Sequence, residues 1–145
     1  MKLGYKKLTP EAKAPAFQSD GAACFDVACI DGGTPQHSRA RVYRTGLAFD
    51  IPDGYYLEFN SRSGHGFKGD LRLANSTGIV DSDYTGEVMV KLTYDGPNYA
   101  KPEWPWAGER IAQARLVRCV KTDIVEIEEM KQTERGNDGF GSTGK

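Results

Sequence analysis

The sequence has no long apolar run and no excess of charge of either sign. Among its 145 residues, 19 Lys and Arg are matched by 20 Asp and Glu, which leaves a net charge of -1. This balance argues against a broad basic surface for a nucleic acid, so any polyanionic ligand would need a local site. No stretch approaches the ~20 apolar residues that span a bilayer. The N-terminus also lacks the apolar core of a signal peptide. We therefore expect a cytoplasmic protein without nucleic-acid or membrane partners, although a nuclear or viral setting stays open.

Cysteine and histidine are scarce. Cys24, Cys29 and Cys119 are an odd number without CxxC spacing, which favours buried free thiols over disulfides or a metal site. His37 and His65 lie far apart in the sequence, so neither a Ser-His-Asp nor a Cys-His arrangement is indicated. The chemistry that remains is water activated by a carboxylate, with phosphates held by guanidinium, amide and hydroxyl groups.

Gly and Pro, which interrupt helices, are abundant, and their placement predicts an all-β fold. The chain has 17 Gly and 7 Pro, which argues against a helical bundle. In residues 87–94, Val88, Val90, Leu92 and Tyr94 alternate with polar neighbours, as is typical of a half-buried antiparallel strand. Only 63–68 is predicted to be helical. The strand spacing predicts one jelly-roll-like distorted barrel over residues 1–130. Its predicted strands are 2–8, 25–29, 41–49, 55–60, 71–75, 78–80, 86–95, 110–120 and 123–128.

The final segment, 131–145, differs from the rest of the chain. It reads KQTERGNDGFGSTGK, has no strand pattern and carries four Gly within nine residues. Left alone, such a segment would be a mobile tail. Flexible backbone combined with an Arg, a Phe and a Ser-Thr pair instead indicates an arm that orders over a ligand.

A predicted hairpin at 75–86 (NSTGIVDSDYTG) carries the most informative polar side chains. Asp81 follows two apolar residues, a suitable place for a general base acting on water. Tyr84 could pack against a sugar, and Asn75 offers both a donor and an acceptor to the edge of a base. Taken alone, this stretch is more simply interpreted as an Asp-rich hairpin loop without a ligand. The functional interpretation therefore depends on the other clusters.

Three further clusters suit a phosphate or a metal, although each is weak alone. Arg62, Ser63 and Gly64 open the predicted helical turn, where amides, hydroxyls and a guanidinium can bind phosphate. Asp26 lies among small and apolar residues, where it either bonds local backbone or stands near a hydrated metal. Gln113, in GERIAQ, is an amide inside an apolar strand, which a buried strand alone does not explain.

Together with the tail, and in this order, the clusters resemble the five sequence motifs of the trimeric deoxyuridine triphosphatases (dUTPases). The likeness runs from residue 21 to residue 144, and GIVDSDYTG, GERIAQ and RGNDGFGSTG are its most specific strings. The resemblance implies hydrolysis of dUTP to dUMP and pyrophosphate, with Mg²⁺ as cofactor. It also implies a homotrimer with sites at subunit interfaces, each arm closing over a site formed by the other two subunits.

The resemblance implies a role for each site residue. Asp81 would activate the water that attacks the α-phosphorus, and Asp26 would contact the hydrated magnesium through water. Tyr84 would pack on deoxyribose and exclude a 2′-hydroxyl. Asn75 and the backbone of 76–78 would bind uracil and exclude a 5-methyl group. The implied uracil, phosphate and arm contacts are Gly78, Arg62, Ser63, Gly64, Gln113, Arg135, Phe140 (over the uracil ring), Gly141, Ser142 and Thr143.

Some positions depart from the family's usual pattern. Ser61 stands where Pro is common, which predicts a looser turn before Arg62. Asp138 stands where Gly is usual and adds an acid near the triphosphate, while Glu109 replaces the more frequent Asp. The Trp-Pro-Trp sequence at 104–106 belongs to no motif and is predicted to pack locally or at a subunit interface.

Two alternative functions remain at this stage. The dCTP deaminases share the fold, but deamination needs a differently equipped site and those enzymes lack the Phe-Gly-Ser-Thr-Gly arm. A regulatory protein that binds dUTP as a signal is the second alternative, and the sequence does not separate it from an enzyme with an additional role.

Overall fold

Antiparallel β-structure dominates residues 1–98 and 101–138, the part of the chain that the computed structural model describes. Its elements are β1 (Gly4–Lys7), β2 (Phe25–Ala28), β3 (Thr34–His37), β4 (Ala40–Arg44), β5 (Leu47–Asp50), β6 (Tyr55–Asn60), α1 (Ser63–Gly69), β7 (Leu71–Leu73), β8 (Gly78–Val80), β9 (Met89–Tyr94) and β10 (Arg110–Arg118). The predicted all-β, jelly-roll-like fold is confirmed. Within the same residues, no helix is long and apolar enough to cross a membrane.

Three sheets organise these strands, with orders β2-β10-β6-β8, β3-β4-β9-β7 and β1-β5. Every pairing is antiparallel. Strand β10 lies between β2 and β6, and its register sets Gln113 opposite Asp26 on one side and Asn60 on the other. Strand β8 pairs with the far edge of β6 and sets Gly78 opposite Phe59. The first sheet therefore carries residues from three of the predicted site clusters, namely Asp26, Gly78 and Gln113.

The core follows the predicted alternation. Val88, Val90, Leu92 and Tyr94 are all at most 5% exposed, whereas Met89 between them is 58% exposed. Burying such a row of apolar side chains is the main favourable contribution to folding. Aromatic rings extend the core across the sheets: the centroids of Phe25 and Phe49 lie 6.1 Å apart, and those of Phe49 and Phe59 lie 6.4 Å apart.

The predicted strand 41–49 is wrong as one element, because the chain turns sharply between β4 and β5. Gly46 has a φ of +66° and is packed so closely that an added Cβ would lie 2.9 Å from the Cβ of Ala12. Thr45 is fully buried, and its hydroxyl donates to the carbonyl of Val88 at 2.6 Å. Strand β3 was not predicted. It is fully exposed and contains Pro35, which is tolerated at a sheet edge.

The predicted strand 123–128 is also wrong within one chain. No strand is assigned there among the described residues, and β10 ends at Arg118 rather than at 120. Ile124 is 97% exposed, and Val125 and Ile127 are exposed as well. The alternating pattern is real, but a strand forms only where a neighbouring strand accepts and donates its backbone hydrogen bonds. The described part of a single chain supplies no such neighbour.

Among the cysteines and tryptophans, Cys29 and Trp104 pack in or against the core. Cys24 and Cys119 are only partly buried, so the expectation of buried thiols holds for Cys29 alone. All three cysteines are free, and Cys29 is buried with its Sγ–H donating to the carbonyl of Trp106 at 3.1 Å. Burial raises the pKa of the Cys29 thiol. Trp104 is half-buried against the core, with the Arg41 guanidinium 5.4 Å from its ring centroid, while the side chain of Trp106 is exposed.

Candidate active site

The predicted base-binding hairpin begins in the tight turn between β7 and β8. Ser76 has a φ of +62°, and its N–H donates to the carbonyl of Leu73 at 3.2 Å. Gly78 lies close to β6, since an added Cβ would stand 3.1 Å from the Cβ of Phe59 and 3.6 Å from the Asn75 amide nitrogen. Asn75, Gly78 and Phe59 line one cavity of about 390 Å³. The structure therefore brings Asn75 and Gly78 together as predicted.

Asp81 and Tyr84 line an adjoining cavity of about 280 Å³. Asp81 is exposed and directly follows β8, so its carboxylate is accessible to water. The N–H of Tyr84 donates to the carbonyl of Asp81 at 3.2 Å, which closes the turn between them. The Tyr84 ring is 45% exposed, and its hydroxyl donates to the carbonyl of Glu87 at 2.9 Å. An accessible carboxylate beside an aromatic ring can activate water next to a bound sugar.

A second cluster surrounds Asp26 in the middle of β2. The Asp26 side chain is only 11% exposed, and its two oxygens accept hydrogen bonds from Arg62 Nε at 3.2 Å and Arg110 Nη1 at 2.9 Å. The sequence left two interpretations of Asp26, a bond to local backbone or a position near a hydrated metal. The carboxylate is bonded to two guanidiniums, so the first interpretation is not observed. The three side chains line a cavity of about 410 Å³. Two guanidiniums at one carboxylate leave an anion-attracting cavity wall.

Helix α1 is fixed to the start of β10 by two side chains that sequence reasoning did not combine. Arg62 Nη1 lies 2.9 Å and His65 Nε2 lies 2.7 Å from the carbonyl oxygen of Arg110. Because a carbonyl only accepts, His65 carries its proton on Nε2. Neither His65 nor Arg110 was assigned a role from the sequence. Arg62 is the N-cap of α1 and His65 lies in its first turn, so their closeness in the sequence was the available signal.

Ser61 links this cluster to the hairpin. Its Oγ accepts a hydrogen bond from the N–H of Leu73 at 2.9 Å, and its carbonyl accepts one from Gln113 Nε2 at 2.9 Å. The expectation of a looser turn before Arg62 is therefore not met, because the serine is held on both sides. The same contact orients Gln113 beside Arg62 and leaves the second N–H of its amide available for a ligand.

The remaining predicted phosphate ligands lie at the surface. Ser63 and Gly64 are exposed in the first turn of α1. Arg135 is exposed, and its Nε donates to the carbonyl of Asp138 at 2.8 Å. Phe140, Gly141, Ser142 and Thr143 lie outside the described residues.

In residues 1–98 and 101–138, the two parts of the predicted site line different cavities. Asp81 shares its cavity with Tyr84, and Arg62 shares its cavity with Asp26.

The second cluster contains one carboxylate that could contact a magnesium ion, that of Asp26. Within residues 1–98 and 101–138, no three His, Cys, Asp or Glu side chains form a group that could hold a metal by themselves. Asp26 nevertheless fits Mg²⁺, which prefers oxygen ligands, keeps several waters and is commonly held by one or two carboxylates plus substrate phosphates. The neighbouring guanidiniums would bind the same phosphates.

Comparison with known proteins yields consistent matches. The dUTPase family model matches residues 10–144. A deoxyuridine 5′-triphosphate nucleotidohydrolase from Nautilia profundicola is 42% identical over 146 residues and is covered completely, as is this chain. The enzyme of the same name from Wolinella succinogenes is also 42% identical, over 100% of this chain and 95% of that one.

Solved structures agree in fold. A mutant dUTPase of Staphylococcus bacteriophage 80alpha with dUpNHpp superposes with a TM-score of 0.82 at 24% identity, covering 99% of this chain and 98% of that one. A mutant dUTPase from phage phi11 of S. aureus, described with a structural Mg(II) ion, gives a TM-score of 0.76 at 21% identity, covering 91% of this chain and 100% of that one.

Proposed function

The chain belongs to the dUTPase family and is a hydrolase of dUTP, and from this premise we propose that Asp81 is the base of the reaction. The products are dUMP and pyrophosphate. The observation that carries the proposal is the cavity that the accessible Asp81 carboxylate shares with the Tyr84 ring, next to the Asn75 hairpin. The named relatives are nucleotidohydrolases, so the deaminase alternative receives no support from them.

In the proposed step, Asp81 accepts a proton from a water molecule as the water oxygen attacks the α-phosphorus. The new P–O bond forms while the bond between the α-phosphorus and the bridging oxygen breaks, and pyrophosphate leaves with that oxygen. General-base catalysis of this kind contributes about 10²–10⁴-fold to a rate. Exposure of Asp81 at the end of β8 supports the role, because a base must reach its water.

For the nucleoside, we assign the base to the hairpin and the sugar to Tyr84. The Asn75 amide and the backbone of 76–78 present donors and acceptors, and close packing of Gly78 on Phe59 holds that backbone in place. A base with the wrong polar edge would leave buried groups unpaired, which is the most effective way to reject it. The Tyr84 ring, in the adjoining cavity, would pack against deoxyribose.

For the triphosphate, we assign Arg62, Ser63, Gly64 and Gln113 as ligands, with Asp26 contacting Mg²⁺ through water. Arg62 and Gln113 are already oriented by Asp26 and Ser61, which lowers the entropic cost of binding. Mg²⁺, when bound, would neutralise charge on the phosphates. Phosphoryl transfer depends mainly on positioning and charge neutralisation, which this set of side chains can supply.

We further propose a homotrimer in which each site is shared between subunits. The two parts of the predicted site line different cavities in the described residues, which supports a site completed by another chain. Exposed Ile124, Val125 and Ile127 retain a strand pattern without a neighbour, which supports pairing with a second copy. A cytoplasmic location is proposed because three free thiols suit a reducing compartment.

Within this assembly, residues 1–130 would form the core domain and 131–145 the arm. The arm would contribute Arg135, Ser142, Thr143 and the Gly141 backbone to the phosphates, and Phe140 to the uracil ring. The exposure of 131–138 in one chain supports an arm that closes over a site formed by other subunits.

The assignment of Asp81 is tested by Asp81→Asn with Asp83→Asn as the matched control, because Asp83 is exposed in the same hairpin. We expect Asp81→Asn to lower kcat about 10³-fold. The Kd of the dUTP analogue dUpNHpp, measured by calorimetry, should change less than about threefold because only the base is lost. Asp83→Asn should retain kcat within about threefold. Equal losses in the two variants, or turnover by Asp81→Asn close to that of the unmodified chain, would contradict the assignment.

A further inference from the structure

Gly86 lies against the hydroxyl of Tyr84. An added Cβ at Gly86 would stand 2.8 Å from Tyr84 Oη and 2.9 Å from Tyr84 Cζ, closer than side chains pack. The φ of Gly86 lies outside the left-handed region, so its backbone is one that alanine adopts readily. Space for the tyrosine, rather than backbone conformation, is therefore what this position requires.

The space allows one specific hydrogen bond, from the Tyr84 hydroxyl to the carbonyl of Glu87 at 2.9 Å. The ring itself is 45% exposed, so core packing alone does not fix it. Its position depends on the acceptor at its far end. A ring bonded at the hydroxyl is held at both ends, by its Cβ and by its oxygen, so pivoting away from the cavity it shares with Asp81 would break that hydrogen bond.

The acceptor is itself firmly anchored to the turn between β4 and β5. The Glu87 carboxylate accepts the N–H of Gly46 at 2.8 Å and the Nη2 of Arg44 at 3.0 Å. The next residue, Val88, donates its N–H to the carbonyl of Leu47 at 2.8 Å. The carbonyl that binds Tyr84 is thus held on both sides by contacts with one rigid turn.

We propose that Gly86 is a specificity-determining residue, which lets Glu87 hold the Tyr84 ring as a fixed wall against the 2′ position of the sugar. The proposal rests on the proposed role of Tyr84 at deoxyribose. A pocket that can yield rejects an added hydroxyl weakly. Because the Tyr84 hydroxyl is bonded, a ribose 2′-hydroxyl could fit only by displacing the ring.

Gly86→Ala tests the proposal, with Gly32→Ala as the matched control. An alanine at 32 would meet only Trp106 Cε3, at 4.0 Å, which is ordinary contact. We expect Gly86→Ala to lower the kcat/KM ratio of dUTP to UTP about tenfold. Gly32→Ala should leave this ratio within about twofold. Both should keep Tm within about 4 °C of the unmodified chain, so lost folding cannot explain the difference.

A double-mutant cycle with Tyr84→Phe tests whether Gly86 acts through the hydrogen bond between Tyr84 and Glu87. Tyr84→Phe removes the hydroxyl and frees the ring from Glu87, whereas Cζ, 2.9 Å from the added Cβ, is present in both backgrounds. In that background, Gly86→Ala should change the dUTP/UTP ratio less than about threefold. A ratio unchanged by Gly86→Ala alone, or the same tenfold loss in both backgrounds, would overturn the proposal.

The Kd ratio of UMP to dUMP, measured on the same variants, reports the sugar preference without turnover. It should fall in parallel with the kcat/KM ratio, and a Kd ratio that Gly86→Ala leaves unchanged would count against the role of Gly86. Absence of dUTP hydrolysis by the unmodified chain would instead contradict the proposed function.

Discussion

Asp26 holds two guanidiniums at one partly buried carboxylate, and this arrangement explains how a nearly neutral chain can bind a triphosphate. Asp26 holds Arg62 and Arg110 at the cavity wall, where in the proposed site phosphate oxygens would replace it as their partner. Charge-assisted hydrogen bonds of this kind are stronger than neutral ones. A local clamp therefore replaces the broad basic surface that the net charge of -1 excludes.

Asp26→Asn should raise the Mg²⁺ concentration for half-maximal binding of dUpNHpp about tenfold, because the residue proposed to contact the hydrated ion loses its charge. Binding of dUMP should change less than about twofold, since it involves the hairpin and not this cluster. Calorimetry over a Mg²⁺ series measures both quantities. Asp53→Asn, in an exposed turn, is the control. Weakened dUMP binding in Asp26→Asn would show instead that the carboxylate only supports the fold.

At this scale, the sequence predicted which residue types form the clusters but not the contacts that hold them. Asp26, Arg62 and Gln113 were identified from their unusual surroundings, and the structure brings them to neighbouring positions. Arg110, His65 and the Ser61 hydroxyl were missed or misread. Their roles depend on how α1 packs on β10 and how β7 approaches β6, and neither packing has a local pattern in the sequence.

Among the elements, the segment after β10 shows most clearly what one chain forms alone and what we propose to need a second copy. The apolar alternation in 123–128 predicted a strand, yet the segment is exposed and unpaired in the described part of one chain. By contrast, β6 and β8 have the predicted bounds, because the strands that pair with them belong to the same chain. A local sequence pattern indicates that a segment can form a strand, but the strand forms only where another strand pairs with it.

Two truncations separate the roles of the strand-like segment and the arm. Removing residues 131–145 should lower kcat at least about 10²-fold while the assembly stays intact, because only the proposed phosphate and uracil contacts are lost. Removing 120–145 should also dissociate the assembly, because the exposed apolar segment is deleted with the arm. Light scattering and pyrophosphate release measure the two effects. A shorter truncation that cannot assemble would contradict this division.

For the whole molecule, the location of Asp81 and Arg62 in different cavities leads to a prediction that would not follow if one chain formed the complete site. Asp81 and Tyr84 line one cavity, whereas Arg62 and Asp26 line another. If each site combines Asp81 from one subunit with Arg62 from its neighbour, two different inactive chains can restore sites together. The solution mass should be about three times the 15.9 kDa of one chain.

Asp81→Asn and Arg62→Met chains should each be nearly inactive alone and should complement one another when refolded together in equal amounts. Random assembly leaves about one quarter of the sites with both unmodified residues, so about a quarter of the original activity should return. Mixing the folded proteins without refolding is the control, since exchange is then slow. No recovery after refolding would indicate that both residues of a site come from the same chain.

The central claim is that this fold hydrolyses dUTP selectively, and pyrophosphate release from dUTP, UTP, dTTP and dCTP with Mg²⁺ tests it most directly. The account predicts that kcat/KM for dUTP exceeds each of the others by at least about 10²-fold, because in the proposed site the hairpin would exclude other bases and the Tyr84 ring would exclude ribose. Equal rates on all four nucleotides, or no release from dUTP, would contradict it.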